Sequence, residues 1–393
     1  MYAFTIFSPF NFLSSHAESL ALFNTGISGG IPDLSNLQKL EVFKVENCAL
    51  TGDGFMSLYN VPPLKVLGVA GNPIAGSLEG VGKLLALEEL YIGQTSISGT
   101  LPQAMGNFHQ LKYIKSSETS LTGAIPTSLG NLKNLIEMDF SINQFTGVLP
   151  TEFGALASLE VIDLSKCGIS GGIPSEIGSL QSLTNLVLFG NELTGKRLFS
   201  MFFLLGGYAL FACCPNFLCL SLPHLVFSQL PLGVLPSEVG LLSKLEVLHV
   251  EMNGLDGPLP TTIGDLGNLK VRLHTCIWLI GAVTLIFYIL SCSCSSLCDC
   301  VEQALILSKN FFTGNLPAEL GNLVNLEVLH LQDNLLEGKV PSELGNLISI
   351  EYLDLTNNIV SGEVPDGLCI DGAIIQVNCS VTCPLECCTN YEC

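Results

Sequence analysis

Leu159 to Pro174 reads LEVIDLSKCGISGGIP, and the same frame returns at Leu135 to Pro150, LIEMDFSINQFTGVLP, and at Leu326 to Pro341, LEVLHLQDNLLEGKVP. The shared pattern is L-x-x-L-x-L-x-x-N-x-L-x-G-x-L-P. Its Asn-type slot falls at Thr25, Cys48, Asn72, Thr95, Thr119, Asn143, Cys167, Asn191, Asn253, Asn310, Asn334 and Asn358, which makes twelve repeats. The slot advances by 23 or 24 at every step from Thr25 to Asn191, and by 24 from Asn310 to Asn358. A period held this tightly is the signature of a solenoid, in which one structural unit stacks on the next.

Each position has a physical reason. In L-x-L the two apolar residues point one way and their neighbours the other, so the segment is a short strand. One repeat cannot bury its apolar face alone, and stacked neighbours build a continuous core. The Asn side chain satisfies backbone groups that the turn leaves unpaired. Thr, and Cys at Cys48 and Cys167, are small enough for the same slot, and the two thiols read as buried structural groups. The G-x-[IL]-P step redirects the chain, since Gly permits unusual dihedrals and Pro fixes φ.

The pieces LTGAIPTSLGNLKNL (Leu121 to Leu135) and LTNNIVSGEVP (Leu355 to Pro365) resemble the plant-type, 24-residue leucine-rich-repeat class. That class includes ectodomains of receptor-like kinases and polygalacturonase inhibitors. The resemblance covers roughly residues 13 to 368 apart from two interruptions. It implies an α/β-type repeat solenoid, a superhelix with a parallel sheet on its concave side, and ligand binding on that side.

The period breaks twice. From Asn191 to Asn253 the slot jumps by 62, which is 38 beyond one repeat, and from Asn253 to Asn310 by 57, which is 33 beyond one repeat. Removing 196–233 joins LTG to VLPSEVG, and removing 272–304 joins LKV to LILSKN; both excisions restore the period. The removed segments contain RLFSMFFLLGGYALFACCPNFLCLSLPHLVF and CIWLIGAVTLIFYILSCSCSSLCDC. They hold eight of the 16 cysteines and only five charged residues. They also account for the mean hydropathy of +0.51. Three readings stand: translated intron, membrane span, or a functional island within the array. Pyrimidine-rich non-coding sequence reads in frame as Phe, Leu, Ser and Cys, and Gly195-Lys196 can be encoded with a GTAAG donor. Cys276 to Leu297 has the length of a spanning helix, yet spans at mid-array would separate the flanking repeats or need a hairpin.

The chain is thus divided into an apolar start (1–18), repeats (19–195), the first insertion (196–233), one repeat (234–271), the second insertion (272–304), repeats (305–368) and a Cys-rich cap (369–393). The start carries no Lys or Arg before its apolar run and no Cys-bearing N-terminal cap, so a truncated start is expected rather than a signal peptide. The tail holds Cys369, Cys379, Cys383, Cys387, Cys388 and Cys393, which read as a disulfide-stapled cap over the last repeat. Asn378-Cys379-Ser380 is a glycosylation sequon. No kinase domain or C-terminal anchor is expected after the tail.

The 393 residues hold 15 Lys plus Arg against 35 Asp plus Glu, a net charge of −20. Such a surface repels phosphate backbones, which argues against nucleic-acid partners. Gly26-Ile27-Ser28-Gly29-Gly30 and Gly168-Ile169-Ser170-Gly171-Gly172 match the G-x-S-x-G nucleophile elbow. Both occur at one repeat phase just before Ile-Pro, so they read as turn consensus. No P-loop, kinase motif set or H-E-x-x-H occurs, and the chain is read as non-enzymatic, without cofactor or metal. The Cys292–Cys300 cluster lies inside an insertion and is discounted.

The concave face remains. Residues flanking the two core positions of each strand point outward. Asp163 and Asp354 sit in [IL]-D-L-[ST] and read as structural. Tyr91, Tyr113, Lys115, Glu137, Asp139, His249, Glu251 and His330 are less expected, and aromatic groups beside charges suit an interface. The reading is an extracellular or cell-surface recognition scaffold for a protein, peptide or glycan. The alternatives are a membrane-inserted receptor-like protein and an inhibitor of a secreted hydrolase. On the splicing account, mature transcripts lack codons 196–233 and 272–304; sequencing cDNA across codons 190–240 and 266–312 and finding both retained would reject it.

Overall fold

The computed structural model describes residues 15–193, 233–269, 271–272, 301–302, 304–384 and 388. In the deciding repeat, Leu159, Ile162 and Leu164 are buried, whereas Val161, Asp163 and Ser165 face outward between them. That alternation makes a strand, and the constant period places the next strand beside it. Thirteen strands form one sheet: β1 (Ser19–Phe23), β2 (Val42–Glu46), β3 (Val66–Gly68), β4 (Glu89–Tyr91), β5 (Tyr113–Lys115), β6 (Glu137–Asp139), β7 (Val161–Asp163), β8 (Asn185–Val187), β9 (Val247–His249), β10 (Ala304–Ile306), β11 (Val328–His330), β12 (Tyr352–Asp354) and β13 (Ile374–Gln376). All neighbours are parallel and in sequence order, so equivalent residues form rows across the sheet, as in Glu89↔Tyr113↔Glu137↔Val161.

The helical part of the expected α/β repeat is met by short pieces only. Among the described residues every helical segment is 3-10. Eight of them, each of five residues, follow a Pro with φ between −63° and −74°. So short a segment, with a Gly in it, gives too little chain to nucleate an α-helix. The Gly is needed for stacking: a methyl at Gly130 would lie 2.5 Å from the Glu152 carbonyl oxygen of the next repeat. The G-x-[IL]-P step does more than redirect the chain. Ser96–Thr100 and its equivalents build a second parallel sheet of four strands, and Phe311–Asn315 centres another of three. Their N–H groups reach back one repeat, for example Ser96 N–H to the Ile74 carbonyl at 2.8 Å.

The buried Asn side chains tie repeats together. Asn143 Nδ2 donates to the carbonyls of Phe140 (2.9 Å) and Ser116 (2.8 Å), and its Oδ1 accepts from Leu121 N–H (3.0 Å). Cys167 is buried and its thiol donates to the Phe140 carbonyl at 3.1 Å; burial pushes that thiol up to about 12. Cys48 is only half-buried, and it contacts Thr25 Oγ1 at 3.1 Å.

The array is continuous across both interruptions. β8 pairs with β9 as Asn185↔Val247, and β9 with β10 as Leu248↔Leu305. Asn253 Nδ2 reaches Leu188 O at 2.9 Å, and Asn310 Nδ2 reaches Val250 O at 3.0 Å. The chain leaves and re-enters the array at the second insertion through an antiparallel pair, Val271↔Glu302 and Arg272↔Val301. One boundary shifts: Ala304, which the frame assigns to the insertion, pairs with Val328 inside the sheet. Val271 and Ala304 precede Leu305 equally well under either excision, so periodicity alone does not choose between them. The interiors of both insertions, and with them the intron, membrane-span and island readings, lie outside the described residues. Among the described residues no helix is long and apolar enough to cross a membrane.

The Cys-rich tail extends the solenoid. Ile374–Gln376 is its thirteenth strand, with Tyr352↔Ile374 in register, and Val381–Thr382 pairs with Gly362–Glu363. Cys383 bonds Cys388, and Cys369 and Cys379 are also in disulfides; Cys387 and Cys393 lie outside the described residues.

The residue before each Asn slot is left-handed in all twelve repeats: Gly71 and Gly190, and ten non-glycines with φ of 51° to 58°. Ile142 is the β-branched member, at φ 53° and 45% exposed. A β-branched residue pays most for this conformation and Asn pays little. Ile142→Asn therefore raises unfolding stability by about 1 kcal/mol. By contrast Asn143→Ala strands the buried Leu121 N–H and removes one of the two bonds to each of the Phe140 and Ser116 carbonyls, at a cost of roughly 2 kcal/mol or more. Urea denaturation checks both signs, and amide exchange at Leu121 localises the second.

Candidate functional site

Rows of outward residues divide the concave face into two patches. The first spans β2 to β6 and encloses an open hollow of about 460 Å³ lined by Lys44, Glu46, Ala70, Tyr91, Gly93, Gln94, Tyr113, Lys115, Ser117, Glu137 and Asp139. Five of the eight sequence-selected residues meet here. Lys115 Nζ pairs with Glu137 Oε1 at 2.7 Å. Lys44 Nζ sits 4.1 Å from the Tyr91 ring centroid and 3.9 Å from Glu46 Oε1. Burial, then the neighbouring Glu89 carboxylate, raises the Tyr91 phenol well above its ordinary value, so it stays a neutral donor. Burial also raises the Glu46 carboxyl, against the pull of Lys44.

Asp139 has a narrower role than its frame position implies. Its Oδ1 accepts from Ser141 N–H (3.0 Å) and Ser141 Oγ (2.7 Å). Asp163 does the same with Ser165, and Asp354 with Thr356. All three close the strand end, so Asp139 belongs with the two aspartates read as structural even though it borders the hollow.

The other three residues lie in a second patch over β8 to β12. His249 stacks on Phe189 with centroids 5.0 Å apart, and Lys166 Nζ lies 5.3 Å from that ring. Glu251 receives His249 Nε2 at 3.4 Å and Lys309 Nζ at 2.9 Å. Burial opposes its charge, yet the bonds from His249 and Lys309 outweigh burial and hold the carboxyl at about 2. His330 stacks on Tyr352 at 4.9 Å, its Nδ1 contacts Gln332 Nε2 at 3.1 Å, and burial lowers its pKa. Tyr352 OH donates to Gln376 Oε1 at 3.1 Å. Ile306 lies between His249 and His330 in their row, and it packs with Tyr352 against Val328.

Sequence reasoning missed Phe189, Lys166, Lys309 and Gly68. Phe189 holds an outward position in its strand. Lys166 and Lys309 hold the left-handed position, whose side chain the frame treats as turn but which leans back over the sheet. The remaining candidates lie off this face. Asn378 Nδ2 donates to Asn358 O at 2.6 Å and its Oδ1 accepts from Asn357 N–H, so a glycan on that nitrogen would displace a bond to the last full repeat. Ser170 Oγ donates to Gly147 O at 3.0 Å, as Ser361 does to Gly338 and Thr382 to Gly362, which gives its hydroxyl the repeated turn role.

The Glu251 cluster makes folding pH-dependent. Its folded carboxyl is held below the ordinary 4.5, so the contribution is complete above about 4.5 and is lost as pH falls toward about 2. With 18% of the side chain exposed, the loss is on the order of 2 kcal/mol. The urea midpoint of the native chain should fall more steeply between these pH values than that of Glu251→Gln; parallel profiles would remove the assignment.

The Leucine Rich Repeat family model matches residues 158–180 and 325–347. No curated protein sequence matches the chain. Among solved structures, the Arabidopsis receptor kinase HAESA, in complex with the peptide hormone IDA and the co-receptor SERK1, is similar at TM-score 0.71 and 23% identity, covering 93% of this chain and 50% of that one. PEPR1 with AtPEP1 gives 0.69 and 24%, covering 93% and 45%. A leucine-rich-repeat protein of Leptospira interrogans gives 0.58 and 23%, covering 88% and 67%. This chain spans about half the length of the HAESA and PEPR1 chains. The family model falls on two repeats of the array, and the likeness extends over nearly all of the chain: the fold is a leucine-rich-repeat solenoid resembling the ectodomains of plant receptor kinases.

Proposed function

We propose that the chain is a non-enzymatic recognition module of the cell exterior that binds an extended peptide segment across its concave face, centred on the hollow over β2 to β6. The observation that carries the reading is the convergence of Tyr91, Tyr113, Lys115 and Glu137 on one open cavity with Lys44 and Glu46. Aromatic rings beside desolvated charges are the composition of interface hot spots. An extended segment suits the shape. Four inter-strand steps of roughly 4.8 Å span the hollow, which is the reach of about six extended residues. Tyr phenols, amide groups and paired charges supply donors and acceptors along that path. The disulfides of the tail fit an oxidising compartment. The HAESA structure similar to this chain holds a peptide hormone, which agrees with the reading at the level of the fold.

Peptides selected from a random displayed library against the full chain test this directly. Replacing Tyr91, Tyr113 and Glu137 together by Ala should weaken their binding by roughly 100-fold or more, with the thermal transition little changed because all three side chains are outside the core. Selected peptides that bind the triple variant as tightly as the native chain would place the site elsewhere.

A further inference from the structure

We infer that the hollow recognises a cationic side chain, Lys or Arg, of its peptide in a box walled by the Tyr91 and Phe23 rings and the Glu46 carboxylate, and that Lys44 is the built-in competitor for this box. The inference rests on the peptide-binding reading above and adds the chemistry of one subsite.

The box already holds an ammonium. Lys44 Nζ lies 4.1 Å from the Tyr91 centroid, 5.8 Å from the Phe23 centroid and 3.9 Å from Glu46 Oε1. Ring faces and a carboxylate around one cation are the elements of ammonium and guanidinium recognition. Lys44 stands on β2 and Tyr91 on β4, so its side chain must cross β3. It does so over Gly68, where a methyl would lie 2.7 Å from both Lys44 Cγ and Glu46 Oε1. The absent side chain at Gly68 is what opens the box across the intervening strand.

Lys44 is held weakly for its surroundings. Its contact with Glu46 is 3.9 Å, against 2.7 Å for the neighbouring Lys115–Glu137 pair. Glu46 is 16% exposed, so its carboxylate is largely desolvated and only distantly compensated. Burial raising its carboxyl agrees with that geometry. A ligand cation entering at normal ion-pair distance would meet a carboxylate in need of a partner. Lys44, free to rotate toward solvent, would recover its hydration and side-chain freedom. The hollow tolerates the added charge: Glu46, Glu137 and Asp139 line it against Lys44 and Lys115, and Glu89 flanks Tyr91.

The test uses peptides selected on the full chain whose binding is lost in the Tyr91, Tyr113 and Glu137 triple variant. These should carry Lys or Arg at one fixed position, and norleucine there should weaken binding roughly tenfold. Lys44→Ala should tighten the lysine peptide several-fold and leave the norleucine peptide unchanged, and Tyr91→Leu should erase the difference between the two peptides. Triple-sensitive peptides that bind equally with lysine and norleucine, or a Lys44→Ala change that weakens the lysine peptide, overturn the inference while leaving the peptide-binding reading intact. Peptides indifferent to the triple variant overturn that reading instead.

Discussion

The buried asparagine amide is the interaction on which the array depends. Each repeat leaves its strand through a left-handed residue, and that turn strands peptide groups in the interior. A buried unpaired peptide group costs about 1–3 kcal/mol, and every repeat would carry several. One Asn carboxamide supplies two donors and an acceptor at the required point. Its bonds reach into the preceding repeat, as Asn334 shows with Phe312 N–H and Leu307 O. A repeat with Asn in the slot therefore completes the hydrogen bonding of its predecessor, and that predecessor without its neighbour is incomplete in polar as well as apolar terms. Where Thr takes the slot the reach can shorten: Thr95 bonds Ile92 O and accepts weakly from Ile97 N–H, both within its own repeat.

That constraint fixes the rows on the concave face. Strands spaced roughly 4.8 Å apart in strict parallel register set each outward residue beside its counterpart from the adjacent repeat, so a residue's partners on the face are set by phase. Lys44 reaches Tyr91 because a single strand separates them and presents Gly68 in the same row. Lys65 pairs with Glu41 and Lys112 with Glu88, each at 2.7 Å across one repeat on the exposed flank. Those flank pairs add little to stability. They neutralise local charge, however, and leave the acidic excess of a chain at −20 expressed elsewhere. Carboxylates become desolvated in the first hollow, in the Glu251 cluster and at strand-end positions such as Asp163.

Much of this was legible in the sequence because the phase is rigid. The outward assignment of Tyr91, Tyr113, Lys115 and Glu137 follows from the L-x-L alternation alone, and the structure brings these four together. Phase gives the row of a side chain but not its reach. Nothing in the pattern says that Lys44 lies along the sheet rather than into solvent, since that depends on Gly68, on the adjacent strand and a full repeat away in sequence. The role of Asp139 was obscured because its strand reads M-D-F-S with Phe where the aspartate consensus has Leu, although the serine that fixes it is present. The thirteenth strand escaped the frame because Ile374–Gln376 has no Leu, and because its register with Tyr352 steps by 22 where the array steps by 24. Backbone pairing tolerates that shortening where a sequence frame does not.

Continuity across the two interruptions follows from the same physics. A strand that has lost its sequence neighbour still presents unpaired peptide edges and a half-built core, and the strand in phase is the one that satisfies both. β9 supplies that for β8 across the first interruption as well as an adjacent repeat would. The Gly178 position shows how close the fit is: a methyl there would lie 2.5 Å from the Glu238 carbonyl oxygen, the same distance that separates Gly130 from Glu152 in an uninterrupted pair. The stacking interface is therefore indifferent to what lies between repeats in the chain. It requires only that the left-handed turn, the buried amide and the stacking glycine arrive in phase, and the acid-lined hollow over β2 to β6 is held in shape by repeats that neither interruption touches.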